Sequence, residues 1–385
     1  TGERAFHSGT DWAADDGTYL TVLLVWVLAA RVLEFLWPAG RILGLPLATA
    51  AALGGAALTL AAWIAFRPRA RWDSRTYAFL GVWLATWAVA TWSSVRHSEV
   101  LDAAIVVPVV TVALLAVKRP SGPATTRAID VLAWSTAAVM LGTLLAQLTG
   151  VLDRAAAGTG IEWDVVYYWT PLNEPLGIVG RWIGPFRTPN VTASAAVLLI
   201  VWGASRGWTS RIVLMGTGGL VLLLTGTRSS AFAAIAGVVV LLALQPTRHR
   251  MYRRLQWALG CAAAVGLVLG TMYWVERNPS LSGRMVIWPV YLDLWHTDPA
   301  GGVGDSGVGL AVEAGRLPEW ASHAHSIFID PLARNGIVAV LTILAALALA
   351  LVVTGRAARH GRPIGLALVV ALLVGGVCVA VAAVG

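Results

Sequence analysis

The sequence predicts an all-α polytopic membrane protein of about eleven to twelve transmembrane helices, and three observations predict it. Of its 385 residues 57% are hydrophobic and only 12% are charged, with a mean hydropathy of +0.72. Apolar runs of about 18 residues or more, long enough to cross a ~30 Å hydrocarbon core, recur from end to end. Basic residues cluster in alternate connections between those runs, as expected of a chain threaded back and forth through a bilayer.

Eleven spans follow in order: 18–36, 42–66, 76–93, 101–117, 127–149, 190–204, 211–225, 229–245, 255–275, 326–353 and 363–384. The sixth and seventh are short, which suits tilted or partly re-entrant segments. The basic connections hold Arg67, Arg69, Arg71 and Arg75; Lys118, Arg119 and Arg127; Arg206 and Arg211; Arg248, Arg250, Arg253 and Arg254; and Arg356, Arg359 and Arg362. With Arg4 these make 17 of the 28 Lys and Arg residues. By the positive-inside rule that face and the N-terminus are cytoplasmic, and the parity holds through every span. The long loops, 150–189 and 276–325, then face outward from a single transmembrane domain covering 1–385. Many of the 19 Trp, among them Trp37, Trp92, Trp182, Trp208, Trp274 and Trp288, fall near span ends, where amphipathic rings prefer the headgroup layer.

Composition also excludes. The formal charge of +8 is a topology signal here, and no nucleic-acid motif accompanies it. Cys261 and Cys378 both lie in apolar segments, so neither a disulfide framework nor a Cys-based metal site is supported. With no separate soluble domain and no repeat, chemistry is to be sought on the outer face.

Three Arg stand beside span ends there: Arg187 before Thr188-Pro189-Asn190, Arg228 in Leu224-Thr225-Gly226-Thr227-Arg228-Ser229, and Arg284 in Ser282-Gly283-Arg284. A guanidinium is permanently charged and grips phosphate oxygens in pairs, so three of them near the outer surface suit a lipid diphosphate. The bland reading of each is snorkelling to headgroups. His325-Ser326 ends the second loop where the chain turns back into an apolar helix, and an imidazole with an ordinary pKa near ~6.5 can take a proton from a hydroxyl at neutral pH. His323 with His325 raises a metal reading, with Asp305 and Asp330 as further ligands, but at no informative spacing. Glu162, Asp164 and Glu174 in the first loop are alternative bases. Apolar residues at Met285, Ile287, Trp288, Tyr291, Leu292 and Trp295 predict an amphipathic helix lying along the membrane interface. Gly302, Gly304 and Gly307 match G-x-G-x-x-G formally but lack a βαβ unit, and these glycines read as a flexible turn that folds over a site.

These blocks together resemble the O-antigen ligase and polymerase superfamily of bacterial membrane glycosyltransferases. The resemblance is carried by Gly184-Pro185-Phe186-Arg187-Thr188-Pro189-Asn190, by Leu224 through Ser229, by Gly283-Arg284 with Trp288, by Pro299 through Gly309, and by His325-Ser326 with Gly336 and Val340. Thr227 departs from the Ser that commonly precedes the Arg in the family. The resemblance implies a C-type glycosyltransferase membrane fold. It also implies transfer of a glycan from a polyprenyl-diphosphate-linked donor to a glycan or glycolipid acceptor at the outer face of the plasma membrane, with no metal or other cofactor. Carried over, Arg228 and Arg284 bind the diphosphate and His325 activates the acceptor hydroxyl; Arg187, Asn190, Ser326 and Trp288 join them as substrate-binding residues. The competing class is a transporter or flippase for a lipid-linked sugar, which would favour ionisable groups near mid-membrane and internal repeats; apart from Arg31 and Glu34, the apolar runs carry few charges.

Overall fold

The computed structural model describes residues 41–42, 45–46, 122–149, 182, 184–186, 189–244, 284–318, 321, 323–324 and 326–377. By backbone contacts the chain divides into two compact units, Thr1–Thr76 with Val106–Leu132 and Tyr77–Ile105 with Ala133–Gly385. Apart from a two-residue antiparallel pairing of β1 (Arg41–Ile42) with β2 (Leu45–Pro46), the described residues form helices and their connections. Eight α-helices are described: α1 (Gly122–Leu148), α2 (Pro189–Ala204), α3 (Trp208–Thr225), α4 (Arg228–Leu244), α5 (Arg284–Thr297), α6 (Gly304–Glu313), α7 (Ile329–Arg359) and α8 (Ile364–Val377).

Six of these coincide with expected spans. Within them Thr126–Leu148, Trp208–Thr225 and Ile329–Arg359 are long and apolar enough to cross a membrane, while α2, α4 and α8 are shorter apolar helices. At 1.5 Å per residue the 16 residues of α2 reach roughly 24 Å, less than the hydrocarbon thickness, in keeping with the short sixth span. The expected spans at 18–36, 42–66, 76–93, 101–117 and 255–275 fall mainly or wholly outside the described residues, as does most of the first long loop.

The bundle is packed through small residues. Around Val197, Val201, Ala233, Ala234, Ala367 and Ala371, helix α2 meets α4, and α4 meets α8. Gly237 is what lets them approach: a Cβ there would lie 2.6 Å from Val201 Cγ2 and 3.1 Å from the Ala367 carbonyl. Between apolar helices in lipid, such contact-range van der Waals packing is the main source of cohesion.

The connections that reach the site are tight. Helix α3 ends at Gly226, whose left-handed backbone (φ 59°) returns its N–H to the Leu222 carbonyl, and Thr227 then opens α4 by accepting from Ala231. The turn Gly184–Phe186 lies against α2, with Gly184 (φ 60°) close to Thr192, and the Trp182 N–H donates to the Leu224 carbonyl at 3.0 Å. The two polar blocks on either side of the sixth and seventh spans are thereby joined.

Residues 284–318 form a separate layer. The expected helix is present as α5, and one side of it is buried: Ile287, Trp288, Tyr291 and Leu294 pack with Val308 and Ala311 of α6 and with Leu317, Ala321, Ala324 and Ala333, while Val286 and Leu292 are exposed. The glycine-rich turn before α6 is no flexible flap. Val303 N–H donates to the Ala333 carbonyl (2.8 Å) and Ile337 N–H to that of Pro299 (2.9 Å), docking the turn on a break in α7 at Gly336. Gly336 adopts φ 75° and ψ −177°, and a Cβ there would stand 2.0 Å from the Ala300 oxygen, so only glycine fits.

Candidate active site

Four helices begin around one cavity of about 390 Å³. Its wall takes Asn190 and Ser194 from the start of α2, Ser229 from the start of α4, Arg284 at the head of α5, and His323, Ser326, Ile327, Asp330 and Pro331 from the segment that enters α7. Gly375, near the end of α8, completes it. Each helix N-terminus brings the positive end of its dipole to the cavity, and four of them with one guanidinium favour an anion. The opposite ends of α2, α3, α7 and α8 are the ones flanked by Arg206, Arg211, Arg356, Arg359 and Arg362.

Of the residues that the sequence nominated, Arg284, Asn190 and Ser326 line this cavity together. Arg228 does not line it; it is the first residue of α4, exposed, and next in sequence to Ser229, which does. Arg187 and His325 lie outside the described residues, but their neighbours frame the site: Pro189 and Asn190 follow the one, and Ala324 and Ser326 flank the other. Trp288 is 3% exposed within the α5–α6 cluster and does not line the cavity; its Nε1–H donates to the Ala324 carbonyl at 2.7 Å.

The Ser326 Oγ accepts from the N–H groups of Phe328 (3.3 Å) and Ile329 (3.2 Å), capping the start of α7. Asp330 Oδ1 accepts the Ala324 N–H at 2.8 Å. Arg334, which the sequence reading passed over, ion-pairs with Asp330 (Nε to Oδ2, 3.1 Å) and with Asp305 at the head of α6, and its Nη2 lies 3.4 Å from His323 Nδ1. The i, i+4 spacing of Asp330 and Arg334 on a helix was the available signal, since an acidic residue one turn before a basic one pairs on the same face. Tyr291 packs behind them. Its hydroxyl donates to the Ala321 carbonyl at 2.9 Å, and burial, with Asp330 nearby, pushes its pKa up to about 12. Asp305 and Asp330, weighed from sequence as metal ligands, thus both face a guanidinium.

Residues 211–344 match the family model described as O-antigen ligase. The match runs from the start of α3 to the middle of α7, and so takes in Arg228, Arg284 and position 325. No curated protein matches the chain.

Proposed function

We propose that this chain, which is similar over residues 211–344 to the family model described as O-antigen ligase, transfers a glycan from a polyprenyl-diphosphate-linked donor to an acceptor hydroxyl at the outer face of the bacterial plasma membrane. The observation that carries the reading is the convergence of four helix N-termini with Arg284 on one cavity. Such a site is built for a multiply charged anion at the end of a lipid. Arg284 and Arg228 hold the diphosphate and stabilise the charge that grows on it as it leaves. His325 removes the acceptor proton, and the acceptor oxygen displaces the diphosphate from the anomeric carbon with inversion. The permanent charge of the Arg side chains supplies what a divalent cation supplies elsewhere, and the engagement of Asp305 and Asp330 by Arg334 favours a metal-free site. Basic residues at the opposite helix ends support an outward orientation of the cavity.

The test is turnover by the purified protein with a synthetic polyprenyl-diphosphate glycan and an acceptor, in excess chelator. Wild type should stay active. Arg284→Lys should lose donor affinity by about tenfold or more, because Lys keeps the charge and loses the two-pronged grip. Full activity of Arg284→Lys and Arg228→Lys would reduce both residues to headgroup anchors and sink the reading. Labelling of Cys introduced at Glu313 and at His360, both exposed, in a background with Cys261 and Cys378 replaced, checks the orientation in intact cells. Only the first should react with an impermeant reagent.

A further inference from the structure

Asp330 and Arg334 sit one turn apart at the head of α7, within the sequence Asp330-Pro331-Leu332-Ala333-Arg334. An acidic residue in the first turn of a helix is favoured by the dipole, and pairs best with a base four residues on. Here the pair reaches beyond its helix. Through Asp330 Oδ1 it holds the Ala324 N–H. Through the guanidinium it touches Asp305 on α6 and approaches His323. Tyr291 on α5 lies near the pair, and its hydroxyl donates to the Ala321 carbonyl at 2.9 Å. The side chain of Arg334 is 12% exposed, so these contacts are made largely out of water, where they are strong.

From this we infer that Asp330 and Arg334 are a positioning pair for glycan transfer: together they fix the backbone on both sides of position 325 against the cavity. Ala324 is pinned at both backbone groups, its N–H by Asp330 and its carbonyl by Trp288, and Ser326 is pinned by capping α7. Arg334 has a second effect. Asp330 lines a cavity assigned to an anion, and the guanidinium neutralises it there. The inference rests on the proposed role of position 325 in removing the acceptor proton, but the geometry of the pair does not.

The two effects separate in kinetics. Asp330→Asn keeps an acceptor oxygen for Ala324 but releases Arg334; turnover should fall by about tenfold to a hundredfold, the scale of a misplaced reacting group, with donor KM within about twofold of wild type. Arg334→Met leaves Asp330 uncompensated beside the donor, so turnover should fall and donor KM should also rise, by about tenfold. In the double variant no uncompensated charge remains at position 330, and donor KM should return to near wild type while turnover stays low. A purely structural role predicts no such recovery. Arg334→Lys, which keeps the charge, serves where Arg334→Met does not fold, and should raise KM less.

Hydrogen exchange of the purified variants decides the positioning claim without any turnover. Peptides covering 321–328 should exchange about tenfold faster in Asp330→Asn and Arg334→Lys, while those within 229–241 stay unchanged. Unchanged exchange at 321–328, or faster exchange with wild-type turnover, overturns the pair as a positioning device. A wild-type protein that binds donor but never transfers glycan, together with faster exchange in the variants, would remove the proposed reaction and leave the clamp standing.

Discussion

The bundle of α2, α3, α4, α7 and α8 and the separate layer of α5, α6 and the segment entering α7 are held together by different means. In the bundle the contacts are small and apolar: Gly237 against Val201 and Ala367, Ala233 and Ala234 among Val197 and Ala371. In the separate layer a few directional bonds do the positioning: Trp288 and Tyr291 donate to backbone carbonyls, and Asp330 accepts from a backbone N–H. Dispersion between many atoms is tolerant of direction, whereas a single hydrogen bond fixes both distance and angle. A membrane bundle therefore provides a stable frame, and the cavity wall that must be accurate is supplied by the polar layer.

The comparison predicts that damage to the two regions should look different, beginning with the largest effect. His325→Ala should lower turnover by about 10²-fold to 10⁴-fold while the protein stays folded and retains donor lipid, as expected for loss of a general base alone. Loss of donor binding instead would move His325 into the binding site. Gly336→Ala should be next. With φ at 75° and the Ala300 oxygen in the way, it should cost about 2–3 kcal/mol or more and undock the 298–304 turn. Faster exchange there, with an intact bundle, is the expected signature; a uniform loss of stability would mean that the two regions do not come apart.

Gly237→Ala is the counterpart in the bundle. Overpacking against Val201 should cost about 1–3 kcal/mol and lower the Tm, with turnover per folded molecule near wild type. Trp288→Phe keeps the apolar bulk but leaves the Ala324 carbonyl without its donor, for a similar or smaller loss of about 1–2 kcal/mol. Its mark should be lower turnover, not lower Tm, and wild-type turnover would deny that Trp288 supports position 325.

The smallest effect is a pH dependence. Tyr291 titrates near 12 in the folded protein against an ordinary value of 10.0. Its contribution to stability is therefore fully present below about pH 10 and is lost as pH rises from 10 towards 12, where the unfolded chain ionises and the folded one resists. Melting of wild type and Tyr291→Phe across that interval should show a shallower decline in the variant. Parallel curves would mean that another group governs alkaline unfolding.

Much of this was legible in the residues. Six span positions followed from apolar runs, because a bilayer enforces length and hydropathy segment by segment. Arg284 stands out by its charge in the second outward loop, Asn190 and Ser326 through the family resemblance, and the structure brings the three to one cavity. Other features were not legible. Periodicity places α5 but not the partners of its buried side, which come from α6, from α7 and from the segment between them. Arg334 went unnoticed because its partners Asp305 and His323 are 29 and 11 residues away along the chain.

The sequence by itself determined that the chain is an all-helical membrane protein, where its described spans lie, and which polar blocks border them, since each of these depends on local composition measured against a fixed hydrocarbon thickness. Tertiary structure alone decided which of those blocks meet. The convergence of four helix starts on one cavity, and the bridge from Arg334 to Asp305, arise between segments far apart in the chain, where periodicity carries no information and only packing selects partners.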